Sequence, residues 1–273
     1  MHTFSYIDFY EFKREPFSAA PDEGFWFNSP QHKEALLKII YGIKNHRGLI
    51  TVTGDIGLGK TTLARKLLSE LMKYENFDPS LIVIVHSEIG KIWFLKKIAS
   101  NLKILTDDND PVSIISKVSK RLIEMYKNSK IPVILIDEAN MLKDKEIMEE
   151  IRGLLNIEIP GKRLLSFVLF GLPELEENLK IDMPLYERIA LKIKLKPLNF
   201  ESTKEYILHR LKVAGSVKSV FSDDAYEIIY KYSKGKPRLI NTICDNALLE
   251  GFLRKRKFIN SEILNKVINE LGI

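Results

Sequence analysis

Four short, nearly continuous apolar runs punctuate the first two thirds of the chain: Leu49-Ile50-Thr51-Val52-Thr53, Leu81-Ile82-Val83-Ile84-Val85, Val133-Ile134-Leu135-Ile136 and Leu164 to Phe170. Runs of this length without alternation predict strands buried on both faces of a parallel sheet. Between them the apolar residues switch to helical spacing. Leu63, Leu67, Leu68 and Leu71 place a helix over Thr61 to Leu71, and the same periodicity predicts helices over Ile92 to Leu102, Val112 to Tyr126 and Glu146 to Leu155. Ser29-Pro30 opens an earlier helix, with proline at its first position, and Leu36, Leu37, Ile40, Tyr41 and Ile43 form its apolar face. Strands alternating with helices imply right-handed crossovers and a doubly wound parallel α/β sheet of about five strands. Ile193-Lys194-Leu195 supplies a short fifth.

After Lys196-Pro197 the pattern changes. Helical periodicity dominates over Glu201 to Ala214, Asp223 to Ser233, Pro237 to Phe252 and Ser261 to Leu271. The expected organisation is therefore an α/β domain over 29–197 and an all-helical domain over 198–273. Residues 1–28 precede them as an irregular segment rich in rings. Phe9, Phe12, Phe17, Phe25, Trp26 and Phe27 are too many for a free tail and should pack onto the core.

Chemistry enters between the first strand and its helix. Gly54-Asp55-Ile56-Gly57-Leu58-Gly59-Lys60-Thr61 fits the phosphate-loop pattern G-x-x-x-x-G-K-[ST] at every fixed position, in the strand–loop–helix setting that such a loop requires. Glycines let backbone N–H groups curl around phosphates, and the helix N-terminus adds partial positive charge. Gly54, Asp55, Ile56, Gly57, Leu58, Gly59, Lys60, Thr61 and Thr62 are the expected nucleotide contacts. Lys60 would reach the β- and γ-phosphates, and the Thr61 hydroxyl would hold Mg²⁺. Some seventy residues on, the third apolar run ends in Asp137-Glu138. Asp137 suits Mg²⁺, and Glu138 suits a general base that activates water beside the γ-phosphate of ATP. Two arginines could reach phosphate, Arg188 before the fifth strand and Arg238 after Pro237. By the residues alone, Arg188 reads as a surface ion pair with Glu187 or Glu205.

Charge and composition narrow the classes. Lys and Arg number 42 against 36 Asp and Glu, a net +6 that permits an acidic partner without demanding one. The single cysteine, Cys244, excludes an internal disulfide framework, suits a reducing cytoplasm and reads as a small core residue. No basic start or apolar signal core begins the chain, and no apolar run nears the ~20 residues of a membrane span. Histidine and cysteine spacings match no metal site, which leaves Mg²⁺ as the expected metal. The basic run Arg254-Lys255-Arg256-Lys257 reads first as a solvated helix end and second as a patch for duplex DNA.

The chain resembles AAA+ ATPases of the ExeA/GspA and MshM type, and more distantly the TniB type, over nearly its full length. Phe12 to Leu36, with Pro16-Phe17, Pro21-Asp22 and His32-Lys33-Glu34-Ala35-Leu36, is similar to that group's N-terminal signature. Leu135 to Asn140 is similar to its Walker B segment, Gly171-Leu172-Pro173-Glu174-Leu175 to its sensor 1 region, and Tyr206 to Leu211 with Gly235 to Asn241 to its lid and sensor 2. By that resemblance Arg238 is sensor 2 and contacts the γ-phosphate. Arg188 becomes a finger offered to a neighbouring subunit, which implies a ring or filament of this chain. Leu172 departs from the glutamine usual there and implies slow hydrolysis. The resemblance ranks a cytoplasmic ATPase that switches assembly of a secretion or pilus complex, recruited to the inner membrane through a partner, ahead of a DNA-bound regulator of transposition and of a scaffold with little hydrolysis.

Overall fold

The computed structural model describes residues 5–18, 20, 22–86, 88–216 and 219–273. Residues 1–4 of the N-terminal segment and Pro21 of its signature lie outside the described residues. In chain order the elements are α1 (Tyr6–Phe9), α2 (Pro30–Lys44), β1 (Leu49–Thr53), α3 (Lys60–Met72), β2 (Phe77–Val83), α4 (Lys91–Asn101), α5 (Pro111–Lys127), β3 (Ile131–Asp137), α6 (Lys145–Leu155), β4 (Glu158–Ile159), β5 (Lys162–Arg163) and β6 (Ser166–Gly171). They continue with α7 (Glu174–Leu179), α8 (Met183–Tyr186), β7 (Ile189–Lys194), α9 (Phe200–Val213), α10 (Asp223–Ser233), α11 (Pro237–Leu253) and α12 (Ser261–Leu271). The chain divides into two compact units, one of Pro30–Ile56 with Leu63–Leu195, the other of the N-terminal segment through Ser29, Gly57–Thr62 and Lys196–Ile273.

The first unit is built on a five-stranded sheet in the order β2-β3-β6-β1-β7, every pairing parallel. β1 and β6 are buried at every position, as unbroken apolar strands in the middle of a parallel sheet must be. Leu95, Ile98, Val118, Leu122, Ile147 and Ile151 pack into one core with Ile134, Phe167 and Leu169.

The edges differ from the apolar pattern. β2 begins at Phe77 rather than Leu81, because Asp78, Pro79 and Ser80 pair with Pro132, Val133 and Ile134. Proline lacks an N–H for the ladder but is tolerated on an edge strand, so apolar content understates this one. β7 runs over six residues instead of three, and its Lys192 and Lys194 alternate with Ile193 as one-sided burial allows. β6 begins at Ser166 rather than Leu164, because residues 158–163 turn back on themselves as the β4–β5 hairpin around Gly161 (φ +79°).

In the second unit, Phe12, Phe17 and Phe25 are buried in one core with Ile207, Tyr226, Ile243 and Leu264. Arg210 of α9 organises this packing. Its guanidinium is buried and donates to the carbonyls of Pro16 and Ser18 and to the Tyr206 hydroxyl, and it lies 4.5 Å over the Phe25 ring. Among the described residues no carboxylate pairs with it. Carbonyl dipoles and ring faces balance its charge instead. Tyr206 passes the network on to Asn241 at 2.9 Å, and burial pushes its hydroxyl pKa up.

Two outcomes follow. Gly235 has φ +70°, and an added Cβ would lie 1.9 Å from the Leu198 carbonyl oxygen. Gly235→Ala should cost more than about 2 kcal/mol in denaturant-unfolding stability. The His209 imidazole has a lowered pKa, through burial first and the Arg210 charge second. As pH falls below about 6.5 the unfolded chain takes up a proton that the folded ring resists, so stability declines with acidification. Denaturation midpoints of His209→Gln should fall less steeply than wild type between roughly pH 7.5 and 5.5.

Candidate nucleotide site

The phosphate loop takes backbone that its glycines permit. Gly57 has φ +81° and Gly59 φ +90°, both in the left-handed region that disfavours a Cβ. A Cβ on Gly57 would stand 2.9 Å from Arg238 Cβ. Arg238, just behind Pro237 at the start of α11, donates its backbone N–H to the Gly57 carbonyl at 3.2 Å. The second expected arginine therefore lies directly against the loop. Lys60 is buried as the first residue of α3, with Thr61 and Thr62 in the same first turn. Gly54 N–H donates to the Gly171 carbonyl at 3.3 Å, which ties the start of the loop to the end of β6.

Asp137 is the last residue of β3 and is 1% exposed. Its Oδ1 accepts the Glu138 N–H at 3.0 Å. Glu138 has φ +55° and ψ +35°, a left-handed conformation uncommon outside glycine. The kink turns the chain through a 3₁₀ turn, Ala139–Met141, and brings in a residue that carried no role in the sequence reading. Asn140 is buried. Its Oδ1 accepts the Leu172 N–H at 3.0 Å, and its backbone carbonyl accepts Asn178 Nδ2 at 2.8 Å. A Cβ on Gly171 would meet the Asn140 N and Oδ1 at 3.0 Å. The sequence signals were an amide side chain two residues past the candidate base and its place at the end of the segment that resembles Walker B.

Arg188 lies elsewhere. Ile189, the first residue of β7, is in register with Leu49, the first of β1, whereas the loop follows Thr53 at the far end of β1. A five-residue strand spans about 15 Å. Arg188 thus sits near the amino ends of the strands, and Asp137 and Glu138 near the carboxyl ends. Its Nη1 donates to Asn156 Oδ1 and to the Arg152 carbonyl. Among the described residues it forms no ion pair, so the surface pairing with Glu187 or Glu205 is absent. It lines an open pocket of about 440 Å³ with His46, Arg47, Lys162, Arg163 and Glu187.

Residues 43–179, half of the chain, match the AAA domain family. The chain belongs to the AAA domain family. This AAA protein is 32% identical to General secretion pathway protein A of Aeromonas hydrophila over 94% of its own length, and it spans 47% of that relative. Its fold is shared with the ORC2 protein of Aeropyrum pernix, solved as ADPNP–ADP complexes, at TM-score 0.67 and 15% identity over 95% of this chain and 72% of that one. The RuvB Holliday junction branch migration motor of Thermotoga maritima aligns at TM-score 0.62 and 20% identity over 95% and 74%. Identities this low show the fold alone.

Other features of the AAA protein carry less chemistry. Arg254 pairs with Glu250 and Glu262, and Lys257 with Glu11, so much of the basic run is neutralised within the chain. Cys244 is fully buried, and burial raises its thiol pKa, which leaves it inert. No cluster of His, Cys, Asp and Glu able to hold a metal exists among the described residues. The Thr61 hydroxyl and the Asp137 carboxylate are each hard oxygen donors of the kind that Mg²⁺ accepts. No described helix is long and apolar enough to cross a membrane.

The Gly57–Arg238 contact yields a direct test. Gly57→Ala must displace Arg238 or the loop, and it should weaken binding of a fluorescent ATP analogue at least about tenfold while far-UV circular dichroism stays unchanged.

Proposed function

We propose that this chain binds ATP with Mg²⁺, hydrolyses it slowly, and uses the bound state to switch assembly of a secretion or pilus complex. The reading is carried by the Asp137–Glu138 pair at the carboxyl end of β3, in the parallel sheet whose β1 runs into the glycine loop. Ligands of open α/β sheets bind outside the carboxyl ends of the strands. The link to secretion rests on the stretch shared with General secretion pathway protein A, which is about half of that protein.

In this reading the loop N–H groups and Lys60 cradle the phosphates, and Arg238 adds a guanidinium from beside Gly57. Thr61 and Asp137 hold Mg²⁺, which when bound neutralises phosphate charge. Glu138 orients the attacking water and accepts its proton. Leu172 offers no polar atom beside that water, which keeps turnover slow. Arg188 cannot serve the nucleotide of its own chain from the amino ends of the strands. It acts instead on a neighbouring copy, where such an arginine is worth roughly 10³–10⁵ in rate.

The test is ATP turnover with and without duplex DNA, at low and moderate salt. Turnover should be slow, fall at least about 10²-fold in Glu138→Gln, and ignore DNA. Leu172→Gln should raise it. Arg188→Ala and Glu138→Gln should each be nearly inactive alone and regain turnover when mixed, because one supplies the base and the other the finger. Salt-sensitive stimulation by DNA would instead mark a DNA-bound regulator. Failure of the mixture to recover would remove the finger from the neighbour's site.

A further inference from the structure

We propose that the Asn140 carboxamide donates a hydrogen bond to the γ-phosphate of bound ATP and sustains the turnover that Leu172 leaves unsupported. The inference rests on the ATPase reading above and assigns the polar contact which that reading lacks.

The geometry fixes which way the amide faces. Leu172 N–H is a donor, so the atom it meets at 3.0 Å must be the amide oxygen, and the NH₂ points away from Leu172. Asn178 holds the Asn140 backbone carbonyl at 2.8 Å, which fixes the peptide as well as the side chain. The hydrogen bonds of Asn140 thus engage its two oxygens, while Nδ2 donates to no described residue. The residue is nonetheless buried, two positions past Glu138, where the backbone has just passed through the left-handed kink. Gly171 leaves room for it, since a Cβ there would crowd the Asn140 N and Oδ1 at 3.0 Å. An amide held at both oxygens, with its donors unspent, at the carboxyl ends of β3 and β6, is preorganised to meet an anionic oxygen. A fixed donor of this kind stabilises developing charge without reorganising at the moment of reaction.

Asn140→Asp separates this role from a structural one. The aspartate keeps an oxygen for the Leu172 N–H but has no donor to offer phosphate. Full-length wild type, Asn140→Asp, Asn140→Ala and Asn140→Ala with Leu172→Gln are compared for kcat and for affinity toward a fluorescent ATP analogue, with Glu138→Gln as the blank. Asn140→Asp and Asn140→Ala should both lower kcat about 10²-fold, and each should weaken affinity for the analogue by a smaller factor. Leu172→Gln should recover at least about tenfold of the loss by returning an amide to the neighbouring position. Turnover of Asn140→Asp within about twofold of wild type makes Asn140 purely structural and overturns the inference while leaving the ATPase reading intact. Loss in Asn140→Ala that Leu172→Gln does not rescue also overturns it. Wild-type turnover no higher than that of Glu138→Gln sinks the ATPase reading and this inference with it.

Discussion

β1 is paired in parallel on both sides, with β6 along one flank and β7 along the other. The polarity of the candidate residues in the α/β unit follows from that double pairing and from the parallel pairing of β3 with β6. Parallel neighbours end on the same side, so Thr53, Gly171 and Asp137 finish at one edge of the sheet, where the chain must leave it in loops. Their buried apolar side chains fill both faces of the sheet along the whole of β1 and β6. The same polarity sends the residues that precede the strands, Arg47 before β1 and Arg188 before β7, to the opposite edge.

Much of this was legible in the amino-acid sequence because burial on both faces leaves an unmistakable mark. The apolar run at 49–53 matched β1 to the residue, the run at 133–136 marked the middle of β3 (Ile131–Asp137), and the glycine loop stood between β1 and α3 where its pattern demands. Legibility failed where burial was one-sided or absent. Phe77 to Ser80 pair fully with β3 yet look like a turn, since a proline and two polar residues cost little at an edge. The β4–β5 hairpin is too short for any periodicity. The candidate site shows the same division. Residues recognised by side-chain type at fixed spacing, such as Lys60, Asp137 and Glu138, announce themselves. The left-handed Glu138 and the Asn140–Leu172 bond depend on how two distant loops meet, and no local pattern encodes that.

The N-terminal segment illustrates a third case. Its rings signalled burial but not against what. Their partners lie some two hundred residues away in sequence, in α9 to α12, and the group that gathers them is a charged one. Arg210 satisfies backbone carbonyls of a stretch that has no secondary structure of its own at Pro16 and Ser18. A buried cation that no described carboxylate pairs with would be costly alone, and here it replaces the ladder that an irregular segment lacks. Removing the guanidinium would leave several acceptors without donors at once, so the segment and the helices are stable only together.

The carbonyl of Gly171 and the N–H of Leu172 belong to one peptide group. The carbonyl accepts from Gly54 at the root of the phosphate loop, and the N–H donates to Asn140. Amide resonance keeps these atoms in one plane, so neither bond can tilt without the other. Withdrawal of electron density at the oxygen also strengthens the N–H as a donor. A displacement of the loop at Gly54 therefore reaches Asn140 through a single stiff peptide plane, with no side-chain rotamer in between to absorb it.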